Sequence, residues 1–208
     1  MYTSGNVHGL GTNSTIKTAN DNFYKNKLTG YSNYIDISSG FCGDRSTLNN
    51  QSGVGTGTVS TYYKGYLRVS TSTPSLKCEN TSDYYTISSA SSGNKALTYP
   101  IGLITADEVL FVGSNGGIFD GNYNYMKSSL NGYLAIGHHF WTMTPSGYYN
   151  PFGANNSGSF IFDLYSAGNL DDNGIHDISG LRPVINLKST LKFTGDGTKN
   201  NPYILSVQ

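Results

Sequence analysis

The densest run of hard oxygen donors in the sequence is Asp171-Asp172-Asn173-Gly174, with Asp163, Asn169 and Asp177 close by. Carboxylate and amide oxygens are what Ca2+ prefers, but no Glu closes the run as it closes an EF-hand loop. It therefore reads first as a polar turn, with calcium as the minor alternative. An enzyme would need a nucleophile beside its base, a metal set or a poised acid pair. His138-His139 is a poor start for any of these, because neighbouring side chains on a strand point to opposite faces. One imidazole is expected to pack and the other to be solvated. Arg45, beside Asp44, and Arg182, before Pro183, read as structural, since the planar guanidinium suits bidentate pairing with a carboxylate. Asp107 or Glu108 is the expected partner of Arg182.

Cys42 and Cys78 are the only cysteines, and no C-x-x-C pair or neighbouring His set accompanies them. A zinc site is therefore disfavoured. An even pair in a chain of exported composition reads as a disulfide closing a long loop, with free buried thiols as the alternative.

What remains is suited to binding rather than bond-breaking. Between Phe140 and Leu187 two apolar ends frame a middle of Tyr, Asn, Ser, Gly, Phe and Asp. Tyr offers large amphipathic contact area at low entropic cost, and Ser, Gly and Asn offer adaptable hydrogen bonds, as in antibody paratopes. The candidate ligand-binding residues are Tyr148, Tyr149, Asn150 and Phe152 on one expected loop, and Asn155 and Asn156 on a turn. Tyr165 follows, and Asn169, Asp171, Asp172, Asn173 and His176 lie on a second expected loop. The competing reading is a polar loop region in a Gly-rich β protein. Phe160 and Phe162, two apart in a strand, are expected in the core, as is Trp141.

Composition narrows the partners. The chain has 208 residues, 12 % charged and 13 % aromatic, with a formal net charge of zero. That length suits one α+β domain. No Lys/Arg cluster supplies the footprint that phosphate binding needs, so nucleic acid is not an expected partner. The aromatic and β-branched content argues against disorder. No apolar run reaches the roughly 18 to 20 residues of a membrane span, and the start of the chain lacks a charged-then-apolar signal pattern. The neutral surface, rich in Tyr, Ser, Thr and Asn, points to work outside the cell, with any export signal or anchor lying outside these residues and no organic cofactor.

Two short helices and a twisted antiparallel sheet must carry these residues. Residues 1 to 14 are expected to be irregular. Ile16, Ala19, Phe23 and Leu28 mark one face of a helix from Thr15 to Leu28, capped by Asn13 or Ser14 and ended by Gly30. Ser46 to Thr61 reads as a long loop or an irregular hairpin, and Tyr62 to Val69 as a strand. Thr105-Ala106-Asp107-Glu108 is a capping box, Ile104 and Val109 occupy the positions of a hydrophobic staple, and Gly113 suits the helix stop. This predicts a helix from Ala106 to Val112. Tyr133 to Ile136, Phe140 to Thr144, Ser159 to Tyr165 and Leu181 to Leu187 are predicted strands, with Pro183 marking an edge. Leu191 to Thr194 and Tyr203 to Val207 flank Gly195-Asp196-Gly197-Thr198 as a closing hairpin.

Several segments, in order, resemble a family of uncharacterised surface proteins of gut Firmicutes. They are Phe41-Cys42-Gly43-Asp44-Arg45, Pro74 to Cys78, Tyr99 to Glu108, Phe140 to Pro145 and Gly180 to Lys188. The resemblance implies a surface module that often follows a pilin-like hydrophobic helix. The second half is similar in plan to C-type-lectin-like domains of the formylglycine-generating-enzyme subgroup, with a Trp-bearing strand, a variable segment and a Gly-x-Arg-Pro-type strand. Variable proteins of diversity-generating retroelements share that plan, and their diversified residues fall between the last two landmarks. The active-site cysteines of formylglycine-generating enzymes have no counterpart here. The resemblance thus implies a non-enzymatic adhesion module for a protein or glycan on a cell or phage surface. The alternative it leaves is a structural head of a pilin-like subunit.

Overall fold

The computed structural model describes residues 13–48, 61–112, 134, 137–149, 158–166, 168–175, 177–198 and 200–206. The expected stop at Gly113, the expected loop beyond residue 48 and the expected strand at 133–136, apart from Leu134, lie outside these residues. The irregular start expected at 1–14 does too, apart from Asn13 and Ser14.

Ser14 accepts the Lys17 amide on its hydroxyl at 3.1 Å and opens α1 (Thr15–Phe23). The helical path continues through a π turn, Tyr24–Leu28, and a 3-10 turn, Thr29–Tyr34. Gly30 lies inside the 3-10 turn and is not left-handed, so it does not end the helix as expected. β1 (Phe41–Cys42) pairs antiparallel with β3 (Tyr84–Tyr85). Cys42 and Cys78 form the expected disulfide, across a sequence separation of 36. In the chain-entropy model a loop of that length stabilises the fold by on the order of 4 kcal/mol.

The predicted strand from Tyr62 to Val69 is instead mostly a helix. β2 (Thr61–Tyr62) pairs with the end of a later strand, and α2 (Lys64–Thr71) begins two residues on. Tertiary partners override the weak alternation. Gly65 and Val69 share the buried face, and a Cβ on Gly65 would sit 2.5 Å from Thr144 Cγ2, so the helix lies almost on the sheet backbone. Tyr62 and Tyr66, four apart, pack their rings 5.0 Å from each other. Arg68 bonds Asp107 at 2.7 and 3.0 Å and Asp44 at 2.8 Å. Asp107, one of the two carboxylates expected for Arg182, is therefore held by Arg68, while Arg45 pairs with a carboxylate as expected, that of Asp83.

β4 (Gly102–Leu103) leads into α3 (Ala106–Phe111), which starts with the expected capping box. The Glu108 amide donates to Thr105 Oγ1 at 3.1 Å, and the Thr105 amide donates to Glu108 Oε2 at 2.8 Å. The Thr105 hydroxyl also donates to that carboxylate, at 2.9 Å. Ile104 and Val109 are buried in one cluster, as the staple requires. Because Thr105 is buried, Thr105→Ala is expected to cost about 1 to 2 kcal/mol in urea unfolding. A change under about 0.5 kcal/mol would show that the cap is dispensable.

The main sheet has the order β2-β5-β6-β7, with β5 (Phe140–Tyr149), β6 (Gly158–Leu164) and β7 (Leu170–Gly174), all neighbours antiparallel. Pro145 cannot donate to a ladder, and β5 shifts register on both sides of it. Thr142 compensates by donating from its hydroxyl to Phe162 O at 2.8 Å while accepting the Thr144 amide at 3.2 Å. Both faces of the sheet are covered. Phe140, Phe162, Leu164 and Leu170 meet Val69 of α2 and Ala106, Val109 and Leu110 of α3. On the other face Trp141 and Ile161 meet Ile16 of α1 and Leu103 of β4.

β8 (Pro183–Val184) pairs only with β4, so Pro183 does stand in an edge strand. The rest of the predicted strand joins the molecule by single contacts, such as the Asp36 amide to Asn186 O at 2.8 Å and the bridge between Ile35 and Leu187. β9 (Lys192–Thr194) and β10 (Ile204–Ser206) form the closing hairpin, with Gly195 and Gly197 at φ 94° and 80°. The class is α+β, with three α-helices among the described residues rather than two.

Candidate functional site

Local propensity makes Asp171-Asp172-Asn173-Gly174 a loop, since Asp, Asn and Gly are depleted in strands. The structure makes it the edge strand β7. Its register against β6 runs from Leu164↔Leu170 to Phe160↔Gly174, anchored by the buried leucine pair. Charged residues on a short edge strand are a common device against unwanted pairing with other chains. The turn between β6 and β7 closes with the Tyr165 amide on Asn169 O at 2.9 Å and Gly168 at φ 88°.

Making the run a strand divides its side chains between faces. Asp171 and Asn173 lie opposite Asp163 and Ile161 on the face that holds Trp141. Asp172 lies on the helix-covered face, where the Ser146 hydroxyl donates to it in a short hydrogen bond. One ion cannot be wrapped by the whole run, and among the described residues no three His, Cys, Asp or Glu side chains are grouped to hold a metal.

The Trp141 face carries a connected polar group at its open end. Tyr165 donates its phenol to Asn173 Oδ1 at 3.2 Å, and Asn173 Nδ2 donates to Asp163 Oδ2 at 3.1 Å. The exposed His139 ring packs on Tyr165 with centroids 4.1 Å apart. Asp163 is only 1 % exposed. Burial pushes its carboxyl up, against the opposing pull of Ser179, Asn173, His139 and the Phe140 amide. Ser179 favours the carboxylate, yet neither Ser179 Oγ nor Asp163 Oδ1 has a partner with hydrogen-bond geometry among the described residues. Asp171 is pushed up to about 6, by burial first and then by the charges of Asp172 and Asp163, although the Asp172 amide donates to it.

The predicted binding residues do not all meet here. Tyr165, Asn169, Asp171 and Asn173 gather at this end of the sheet. Tyr148, expected on an exposed loop, is 7 % exposed within β5, between Thr61 and Ser159. It lies about 13 Å along the sheet from Asp163, four strand residues away. Its burial follows from β5 running on to Tyr149, so that Tyr148 becomes a rung of the ladder. Tyr149 is in the same strand. Asn150, Phe152, Asn155, Asn156 and His176 lie outside the described residues. Phe162 and Trp141 are buried as expected, while Phe160 is only half-buried.

Sequence reasoning missed the residues that rim this end. His138 and His139, of which one was expected to pack, are both exposed because they precede β5 rather than lying within a strand, and Ile178 is 85 % exposed. They are brought together by Gly180, which bridges Phe140 with its amide on His139 O at 2.9 Å and its carbonyl accepting the Trp141 amide at 3.1 Å. A Cβ on Gly180 would stand 2.7 Å from His139 O, so the close approach favours glycine. The Gly180 in the landmark sequence was the available signal, but not its partner. Arg182 donates to Leu134 O at 3.2 Å and lies 5.0 Å over the Phe140 ring. No helix among the described residues is long and apolar enough to cross a membrane. Compared with protein-family models, curated proteins and solved structures, the chain matches none of them.

Proposed function

We propose that this chain is a non-enzymatic, extracellular binding module of C-type-lectin-like plan. It contacts a protein or glycan on a cell or phage surface, with no organic cofactor. The observation that carries the reading is the polar and aromatic end of the main sheet, where the exposed His139 packs at a tilt on the half-buried Tyr165, whose phenol bonds Asn173, and where Ile178 stands exposed two residues before the Gly180 bridge. A sheet packed on both faces holds these groups rigidly, which lowers the ordering cost of binding. Side chains displayed by a rigid scaffold are where recognition residues concentrate. Three further facts support the setting: the disulfide suits an oxidising compartment, the net charge is zero, and the Trp-bearing β5 precedes the Gly180-Leu181-Arg182-Pro183 segment in the expected order. The segment between those landmarks is the one a diversity-generating retroelement would vary.

The test replaces His138, His139 and Ile178 by Ala together and measures binding to a glycan array and to bacterial-surface and phage preparations. Surface changes of this kind cost about 0.5 kcal/mol each at most, so the melting temperature is expected to stay within a few degrees. Binding is expected to fall at least tenfold, as for loss of interface anchors. Unchanged binding by a folded triple variant would remove this surface from the function.

A second reading, assembly of a pilin-like head, is favoured by the closing hairpin. Phe193, Tyr203 and Leu205 share one face of β9–β10, and Phe193 and Tyr203 are 44 % and 66 % exposed. Light scattering separates the two readings, since an assembly subunit oligomerises without a ligand.

A further inference from the structure

Asp163 and Asp171 stand directly opposite each other across the β6–β7 ladder. Opposed residues of an antiparallel pair have Cβ atoms about 4.5 to 5.5 Å apart, and like charges there are destabilising. Three features make this pair unusual. Asp163 is buried, its Oδ2 is occupied by the Asn173 amide, and its Oδ1 has no partner with hydrogen-bond geometry among the described residues. Asp171 is only half-buried, so it can exchange a proton with water. We propose that Asp163 and Asp171 hold one proton between them, and that loss of this proton loosens the edge strand β7 from β6.

The proton is written on Asp171, which donates to Asp163 Oδ1, so that the pair carries one negative charge rather than two. Burial and the charges of Asp172 and Asp163 favour that form, placing the Asp171 proton at about 6. Two carboxylates sharing a site titrate as a pair, so that value belongs to the dyad. The other groups facing the pair are the His139 imidazole ahead of β5, Ser179, Asn173 and, through Asn173, the Tyr165 phenol. Asp172 acts from the opposite face of β7. A folded-state value above the ordinary 3.8 means that the folded state binds the proton more tightly than the opened strand does. The attachment is therefore complete below about pH 4 and weakens as pH rises through about 6. This proposal does not depend on what the module binds.

The experiment is native-state hydrogen exchange from pH 5 to 7, corrected for intrinsic exchange. In the native chain the opening equilibrium of β7 is expected to rise about tenfold in all between pH 5 and 7 relative to the β5–β6 ladder, most steeply below pH 6, as one linked proton titrating at about 6 requires. Asp171→Asn should abolish that slope, and His139→Gln should keep it. A native β7 slope no steeper than that of Asp171→Asn overturns the proposal. If Asp171→Asn does not fold, carbon-13 titration of the native carboxyls decides the matter. One of the two is expected to titrate near 6. Both titrating in the ordinary carboxylate range also overturns it.

Discussion

Trp141→Ala is expected to destabilise the protein by about 3 to 5 kcal/mol, as truncation of a large buried aromatic does. The side chain is 1 % exposed and joins α1, β4, β6 and the end of β7 through Ile16, Leu103, Ile161 and Ile175. No other residue of that cluster touches the core from the centre of the sheet with a comparable volume, so the cavity left behind cannot collapse from one side. The loss is a large share of the roughly 5 to 15 kcal/mol that keeps a domain folded. Guanidinium unfolding monitored by far-UV circular dichroism reads it without relying on the lost indole. A loss under about 1 kcal/mol would mean that the sheet face is loosely packed, contrary to its burial.

Arg68→Ala is expected to cost about 3 to 5 kcal/mol, because it strands two buried carboxylates. Among the described residues Arg68 is the one cation bridging Asp44 and Asp107, each with a side chain only 6 % exposed. Burial pushes the Asp44 carboxyl up, but Ser46 and Arg68 overcome this and hold it below the ordinary range. In the native chain that contribution is present at neutral pH and lost as the pH falls through the lowered value. The variant should behave the other way. With no guanidinium, the burial that pushes Asp44 up is opposed by Ser46 alone, so part of the deficit should be recovered between pH 7 and pH 5. Urea melts at the two pH values test this, and a deficit that grows on acidification would contradict it. Arg68→Lys keeps the charge but not the fork that spans both Asp107 oxygens, and it should fall between the two.

The elements legible in the sequence are those whose signal is local. Thr105 and Glu108 are three residues apart, and so are Ser14 and Lys17, so each cap is specified without reference to the rest of the chain. The core strand β6 and the closing hairpin announce themselves by Phe, Ile and Leu runs and by Gly195 and Gly197. Elements set by distant partners were not legible. α2 looked like a strand because its helical face is defined by Thr144, Asp44 and Asp107, all remote in sequence. β7 looked like a loop because its place comes from Leu164, Phe162 and Phe160 on β6, not from its own residues. The partner expected for Arg182 failed for the same reason: the sequence shows that a carboxylate needs a partner, not which guanidinium reaches it. At the candidate site, Tyr165, Asn169, Asp171 and Asn173 were readable as polar residues near the landmark strands. The alternation of faces that sends Asp172 away from them, and the bridge that brings His139 beside Tyr165, depend on register.

The Cys42–Cys78 bond also has a mechanical consequence. A load applied along the chain from opposite sides of the two cysteines passes through the sulfur atoms and bypasses everything between them, including β2 and α2. The 36-residue separation corresponds to about 120 Å of extended contour that no pull can release while the bond is intact. Reduction would make that length available to a pulling force once β2 and α2 give way.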